Sequence, residues 1–351
     1  MKSKVKLLGW SIGIAAVVGF YLLAVSSLRG QLEQQLSAAC KRPVTIEVAR
    51  FVLPPAIRLA RLEVPAVRGE DRAPIKVDLI QARLSGSAWG QGQPGGEVDA
   101  IHPQIYLEWT KEARDLSELG VNPLFVPSSG VPIAQVRIRD GEFTFIDRLA
   151  VPNVFWNLRG VSFALRPGVR PEEREFALAG RLEDSEGRPL GKVEARGTAF
   201  PDGPIDAVVK LSYGDLGKLA PYLRRLLGTA PARGSMEMET RLTMLQGVLM
   251  AHNEVMATGV FFSDDQPTTL GPEGNRLVEL LKDPEGKIHL GFDVKGELGK
   301  KRMDWSDLAV GAMREAMRQA MSRSIQQVLS DTEQQKPVEE LLRKKLDTLD
   351  R

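Results

Sequence analysis

The chain has 351 residues, of which 43% are hydrophobic, and its 47 Lys and Arg against 45 Asp and Glu leave a formal net charge of +2. That apolar fraction excludes a disordered chain and is enough for one large or two medium globular units. The charge balance excludes the one-sided basic footprint of a nucleic-acid binder, and the single cysteine, Cys40, excludes an intramolecular disulfide framework.

Residues 1–6 carry Lys2, Lys4 and Lys6, and Leu7 to Leu28 carry no charge at all. A helix rises about 1.5 Å per residue, so a run of roughly 20 apolar residues matches a hydrocarbon core of about 30 Å. Residues 7–28 are therefore expected to form a transmembrane anchor. The lysines before it, against Arg29 alone just after it, place residues 1–6 in the cytoplasm and the rest of the chain outside it. A cleaved signal ending near Ala24-Val25-Ser26 is the rival reading; the apolar run is longer than such signals usually are. Across residues 29–42 a juxtamembrane helix is expected, because Leu28, Leu32, Leu36 and Cys40 recur every four residues and make one stripe for packing on the first strands.

From Val44 onward the period changes to two. Val44, Ile46 and Val48 alternate, as do Ile57 and Leu59; then Leu62 and Val64 follow on the other phase, which suggests a bulge. Alternation returns in residues 75–84, 104–109, 134–147, 155–166, 175–183, 192–200, 205–213, 234–244, 247–262 and 287–298. Turns are expected at Arg139-Asp140-Gly141, Asp184 to Gly187, Pro201-Asp202-Gly203 and Pro284-Glu285-Gly286. Helical patterns are few: Asp215 to Leu227, Asn275 to Leu281, a stretch from Trp305 to Leu329 with Leu308, Met313, Met317, Met321 and Val328 on one side, and a last one after Pro337. The expected fold is mainly β with flanking helices. A sheet with so little helix to cover its apolar face must curl on itself, dimerise or hold something greasy.

No pattern in the chain carries chemistry. Gly90-Gln91-Gly92-Gln93-Pro94-Gly95 spells GxGxxG, but such a loop cradles phosphate only where it opens a helix, and GEVDAIHPQIYLEW after it reads as a strand. His102, His252 and His289 are far apart and lack metal-ligand spacing, and no nucleophile elbow or acid/base pair is present. The protein is expected to be no enzyme and to need no cofactor or metal. The methionines are more informative: Met236, Met238, Met244, Met250 and Met256 lie in strands and Met313, Met317 and Met321 in a helix, where they serve as ordinary core or as an adaptable apolar lining.

Several segments resemble the AsmA-like family, which includes AsmA, TamB and YhdP. They are residues 211–255 (strand, Pro-Tyr helix, Gly, two strands with an Asn), residues 277–298 (LVELLKDPEGKIHLGFDVKGEL), and residues 135–147 with 151–165. The N-terminal span and Lys41-Arg42-Pro43-Val44 fit the same pattern. The resemblance implies a periplasmic protein anchored in the inner membrane, whose long curled antiparallel sheet forms an open groove across residues 43–300, followed by a helical segment at 301–351. It further implies phospholipid as ligand and a role in lipid transfer through the cell envelope. The alternative is a non-enzymatic scaffold for outer-membrane biogenesis, whose apolar face is covered by its own helices, a second copy or another envelope protein.

Alternation supplies the groove candidates: Phe143 and Phe145, Phe163 and Leu165, Phe176 and Leu178, Met236 and Met238, and Ile288, Leu290 and Phe292. The opposite parity carries Glu142, Glu237, Glu239, His289 and Asp293, whose burial without partners would cost several kcal/mol, so the apolar set is expected to face inward.

Overall fold

A computed structural model describes residues 28–38, 40, 42–52, 56–66, 72–85, 95–110, 133–170, 172–200, 203–227, 231–261, 281–297, 311–320 and 322–323. The run Leu7 to Leu28, apart from Leu28 itself, lies outside them, as do the GxGxxG residues before Gly95 and the helix expected after Pro337. Among the described residues no helix is long and apolar enough to cross a membrane.

The twelve alternating runs become twelve strands: β1 Thr45–Val52, β2 Ala56–Val64, β3 Ile75–Ser85, β4 Gly95–Trp109, β5 Ile133–Asp147, β6 Val154–Pro167, β7 Arg174–Glu183, β8 Pro189–Ala199, β9 Ile205–Tyr213, β10 Arg233–Leu245, β11 Val248–Phe261 and β12 Lys287–Glu297. They pair in chain order in one open, mixed sheet. Two compact units divide it, one of residues 1–146 with 156–177 and one of 147–155 with 178–351, so residues 43–300 contribute to both.

In the first unit, α1 (residues 28–38) lays Leu28, Leu32, Leu36 and the following Cys40 on a core of Val44, Ile46, Ala49, Leu59, Leu62, Val64 and Val77, as its stripe predicts. Ile46 is completely buried. Polar groups of the same helix serve the free edge of the sheet. Glu33 accepts a hydrogen bond from the Ile46 amide at 2.8 Å, and Ser37 accepts one from the Val44 amide at 2.8 Å. These bonds occupy backbone donors that an exposed edge would offer to another chain. Burial pushes the Cys40 thiol up in pKa, which disfavours the reactive thiolate.

The change of phase at β2 is a left-handed residue with no residue inserted. Arg61 has φ 53° while its strand keeps one register with β1 and with β3. The shift is shared across the sheet: Ile46, Leu62, Val77 and Pro103 form one apolar row, and the next on that face is Ala49, Leu59, Ile80 and Ala100, three residues on. Between them Glu47, Arg61, Asp78 and His102 line up on the other face, with His102 at φ 51°. Asp140 in β5 is left-handed as well, at φ 52°. The turn expected at Arg139-Asp140-Gly141 is therefore a kink inside one continuous strand. Gly141 suits that kink because a Cβ there would meet Ile138, Pro103 and Val161 at 3.1–3.3 Å.

Not every pair is antiparallel. Asp99 of β4 meets Arg137 at 3.8 Å and Arg139 at 3.6 Å, and Pro103 faces Gly141, so numbers rise together along β4 and β5 and the two strands run parallel. Alternation does not report strand direction. The long connection of residues 110–132 is what a parallel return requires.

His102 Nδ1 lies 2.7 Å from Asp78 Oδ2. That hydrogen bond, with the charges of Asp78, Glu142 and Asp140, raises its pKa above the usual histidine value. A raised folded-state pKa gives stability that is full below the unfolded value of about 6.5 and is lost as pH rises through the folded value. The melting temperature is expected to fall over the interval just above pH 6.5. His102→Gln should flatten that fall in part; an unchanged slope would mean the pair contributes nothing.

In the second unit the turns expected at Asp184 to Gly187 and at Pro284 to Gly286 form, closed by the Gly187 amide donating to the Asp184 carbonyl and the Gly286 amide donating to the Asp283 carbonyl. Asp184 also accepts from the Glu186 and Arg188 amides and from Arg188 Nε. The Arg188 backbone bond leads the causes that hold its carboxyl at about 2. Gln246 and Gly247, at φ 50° and 78°, make the two-residue reversal between β10 and β11, a backbone that matches strand twist. The helix expected over Asp215 to Leu227 is split into a 3-10 turn at Leu216–Leu219 and α2 at Ala220–Leu227. Asp215 caps the first by accepting from the Gly217 amide, and Pro221 sits in the first turn of the second, where no amide is needed. Gly95 opens β4 and no helix, as the strand reading of the GxGxxG flank requires. Of the segment Asn275 to Leu281 only Leu281 is described, in a turn.

Candidate functional site

The registers of β8 to β12 place their side chains on a grid. One face carries the rows Gly191, Tyr213, Met236, Ala257, Ile288; Val193, Leu211, Met238, Val255, Leu290; Ala195, Val209, Thr240, Asn253, Phe292; and Gly197, Ala207, Leu242, Ala251, Val294. The other face carries Glu194, Lys210, Glu239 and Glu254 in one row and Arg196, Val208, Arg241, His252 and Asp293 in another. The first face is apolar and graded in size, with Gly and Ala frequent on β8 and β9 and larger residues on β10 to β12.

Its one polar spot is internally satisfied. Thr240 donates to Asn253 Oδ1 at 2.8 Å, and Asn253 Nδ2 donates to the Phe292 and Ala251 carbonyls at 3.2 and 3.3 Å. Both side chains are buried, and with their partners made they add no free polar group to the face.

Several charges of the other face pair with one another. Lys192 meets Glu194 at 3.1 Å, Lys210 meets Glu239 at 3.1 Å, and His252 meets Asp293 at 2.7 Å. An open concavity of about 900 Å³ on this unit is bordered by Lys192, Lys210, His252 and Asp293 among others. Lys192, Lys210 and His252 already have carboxylate partners, whereas Arg323, which also borders the concavity, is bonded among the described residues only to the Gln319 carbonyl at 3.4 Å. Among the described residues no group of three or more His, Cys, Asp and Glu could hold a metal ion.

Five candidates from the sequence, Met236, Met238, Ile288, Leu290 and Phe292, share the apolar face of the second unit. Four of them are packed under the chain's own helix: α3 (residues 311–320) sets Ala312, Met313 and Ala316 against Val255, Phe292, Met236, Met238, Leu290 and Val294. Its contact face is turned from the expected methionine stripe. Met313 belongs to it, two alanines complete it, and Leu308, Met321 and Val328 lie outside the described residues. In the first unit Phe143 and Phe145 follow Gly141 at even steps and Phe163 and Leu165 follow Val161, so both pairs share the face on which Gly141 meets Val161. Leu165 is buried and Phe143, Phe145, Phe163 and Phe176 are half-buried; Leu178, in the second unit, is half-buried too. Sequence reading missed the β8 and β9 part of the grid, Val193, Leu211 and Val209. They alternate as regularly as the Phe and Met positions, but their smaller side chains carry less apolar area each. No family model matches the chain, and no curated protein matches it.

Proposed function

We propose that this chain is a lipid-binding or lipid-transfer protein of the cell envelope, anchored in the inner membrane by residues 7–28, with its bulk in the periplasm and its sheet curled into a groove for phospholipid acyl chains. The observation that carries the reading is the face of β8 to β12 that is apolar across five neighbouring strands except for the mutually bonded Thr240 and Asn253, while the reverse face is largely charged. Acyl chains are stabilised by burying apolar area at about 25 cal/mol per Å², and the low relief at Ala195, Gly197 and Ala207 leaves room beside the bulkier half. The resemblance of residues 211–255 and 277–298 to the AsmA-like family supports the same reading.

The scaffold alternative has its own observation, the seating of α3 over Met238, Leu290 and Phe292. A face covered by its own helix needs no lipid. The two readings part at Leu211, which is on the apolar face, half-buried, and absent from the α3 contacts. With a photo-crosslinking residue at position 211 in cells, extraction and mass spectrometry should show a phospholipid adduct. Capture of protein alone would transfer the function to the assembly reading.

A further inference from the structure

We infer that the paired ends of β1 and β2 form a second contact with an anionic bilayer surface, made by Arg50, Phe51, Val52 and Arg58; the inference rests on the membrane-anchored reading above. Arg50 and Arg58 stand directly opposite each other across the two strands, both exposed. Like charges in that relation repel, and among the described residues no carboxylate is bonded to either. Their row continues through Gln81 to Asp99, and that one buried carboxylate is already shared by Arg83 at 2.5 Å, Arg137 and Arg139. The end of the sheet thus holds unneutralised guanidinium groups, which pair with lipid phosphate in a bidentate way. Beside them Phe51 is 49% and Val52 38% exposed, two apolar side chains at a strand end. Apolar tips flanked by arginine suit the boundary between headgroups and acyl chains.

Along α1, Arg29 donates to the Glu47 carbonyl at 3.3 Å, Glu33 bonds Ile46 and Ser37 bonds Val44, so strand and helix are antiparallel. The chain arrives at α1 from its Leu28 end, and β1 advances toward that same end. Val52 lies five residues past Glu47, or about 16 Å at strand rise. Where the uncharged run ends at Leu28 in a bilayer, the Arg50 to Val52 end is aimed at that bilayer and reaches beyond Arg29 toward it.

The test uses the full chain in phosphatidylcholine vesicles with and without phosphatidylglycerol. Cys40→Ser removes the lone cysteine, and Phe51→Cys, or Glu194→Cys on the charged face of β8 as control, carries an environment-sensitive fluorophore. The label at 51 should be blue-shifted, quenched by spin-labelled lipid and shielded from iodide, most strongly with phosphatidylglycerol; the label at 194 should behave as in water. Arg50→Gln with Arg58→Gln removes a repulsion, so the fold should be kept while the dependence on phosphatidylglycerol is lost. A label at 51 as open to iodide as the one at 194 in carbonate-resistant protein, or protection that the double variant keeps in full, overturns the inference and leaves the anchor standing. If carbonate strips the protein, the anchored reading fails by itself. Flotation with phosphatidylglycerol vesicles then judges the patch: flotation abolished by salt and by the double variant supports it, and no flotation overturns it.

Discussion

Phe292→Glu is expected to unfold the second unit rather than to leave a folded protein that has lost a ligand. Phe292 is 8% exposed, lies in the third residue row of the apolar face, and is packed against α3 through the cluster it forms with Val255 and Ala316. Removing an aromatic ring from such a site costs about 3–5 kcal/mol, and a carboxylate left in its place costs several more. Against a total stability of about 5–15 kcal/mol that is decisive. Phe292→Leu, which keeps most of the volume, should cost only about 1–2 kcal/mol. Denaturant midpoints for the pair check this. A Phe292→Glu protein that melts like wild type would mean that α3 does not seal the face and that water reaches β12 there.

Gly191→Ala should be the most damaging added methyl among the described glycines. A Cβ at 191 would collide with the Ser212 carbonyl and press on Tyr213, and these are backbone atoms held by the β8 and β9 register, which cannot swing aside as a side chain would. Tyr213 itself is buried, enough that desolvation pushes its hydroxyl up to about 12, so the ring has nowhere to retreat. Overpacking against fixed backbone costs about 3 kcal/mol, or roughly 10 °C in melting temperature for a unit of this size. Gly30→Ala is the contrast: it lies in α1 with nothing within 4 Å of the added Cβ, and should stabilise by about 0.5–1 kcal/mol. Equal melting temperatures for the two variants would show that β8 and β9 are not held as closely as their register implies.

The contrast between these two glycines shows where the sequence stops being informative. Gly30 can be judged from helix propensity alone, whereas Gly191 looks like any strand glycine until β9 is laid beside it. The same holds at Arg61 and His102. Neither is a glycine or an asparagine, so nothing in their identity announces a left-handed backbone; only the slipped phase between Leu59 and Leu62 hinted at the first. At Asp140 and Gly141 the residue types of a turn were present, and the neighbouring strands held them in line as a kink.

By itself the sequence determined which stretches alternate, their order along the chain, and the stripe of Leu28, Leu32, Leu36 and Cys40 that seats α1, because periods of two and of about four are local properties of the backbone. It also determined the turns at Asp184 and Asp283, where an aspartate side chain closes its own loop. Only the tertiary structure decided that β4 and β5 run parallel, that the left-handed residues Arg61 and His102 fall in one row of the sheet, and that Ala312 and Ala316 come to lie over Phe292. Those depend on contacts between residues far apart in the chain. Their free energy belongs to the pair and is invisible in either residue alone.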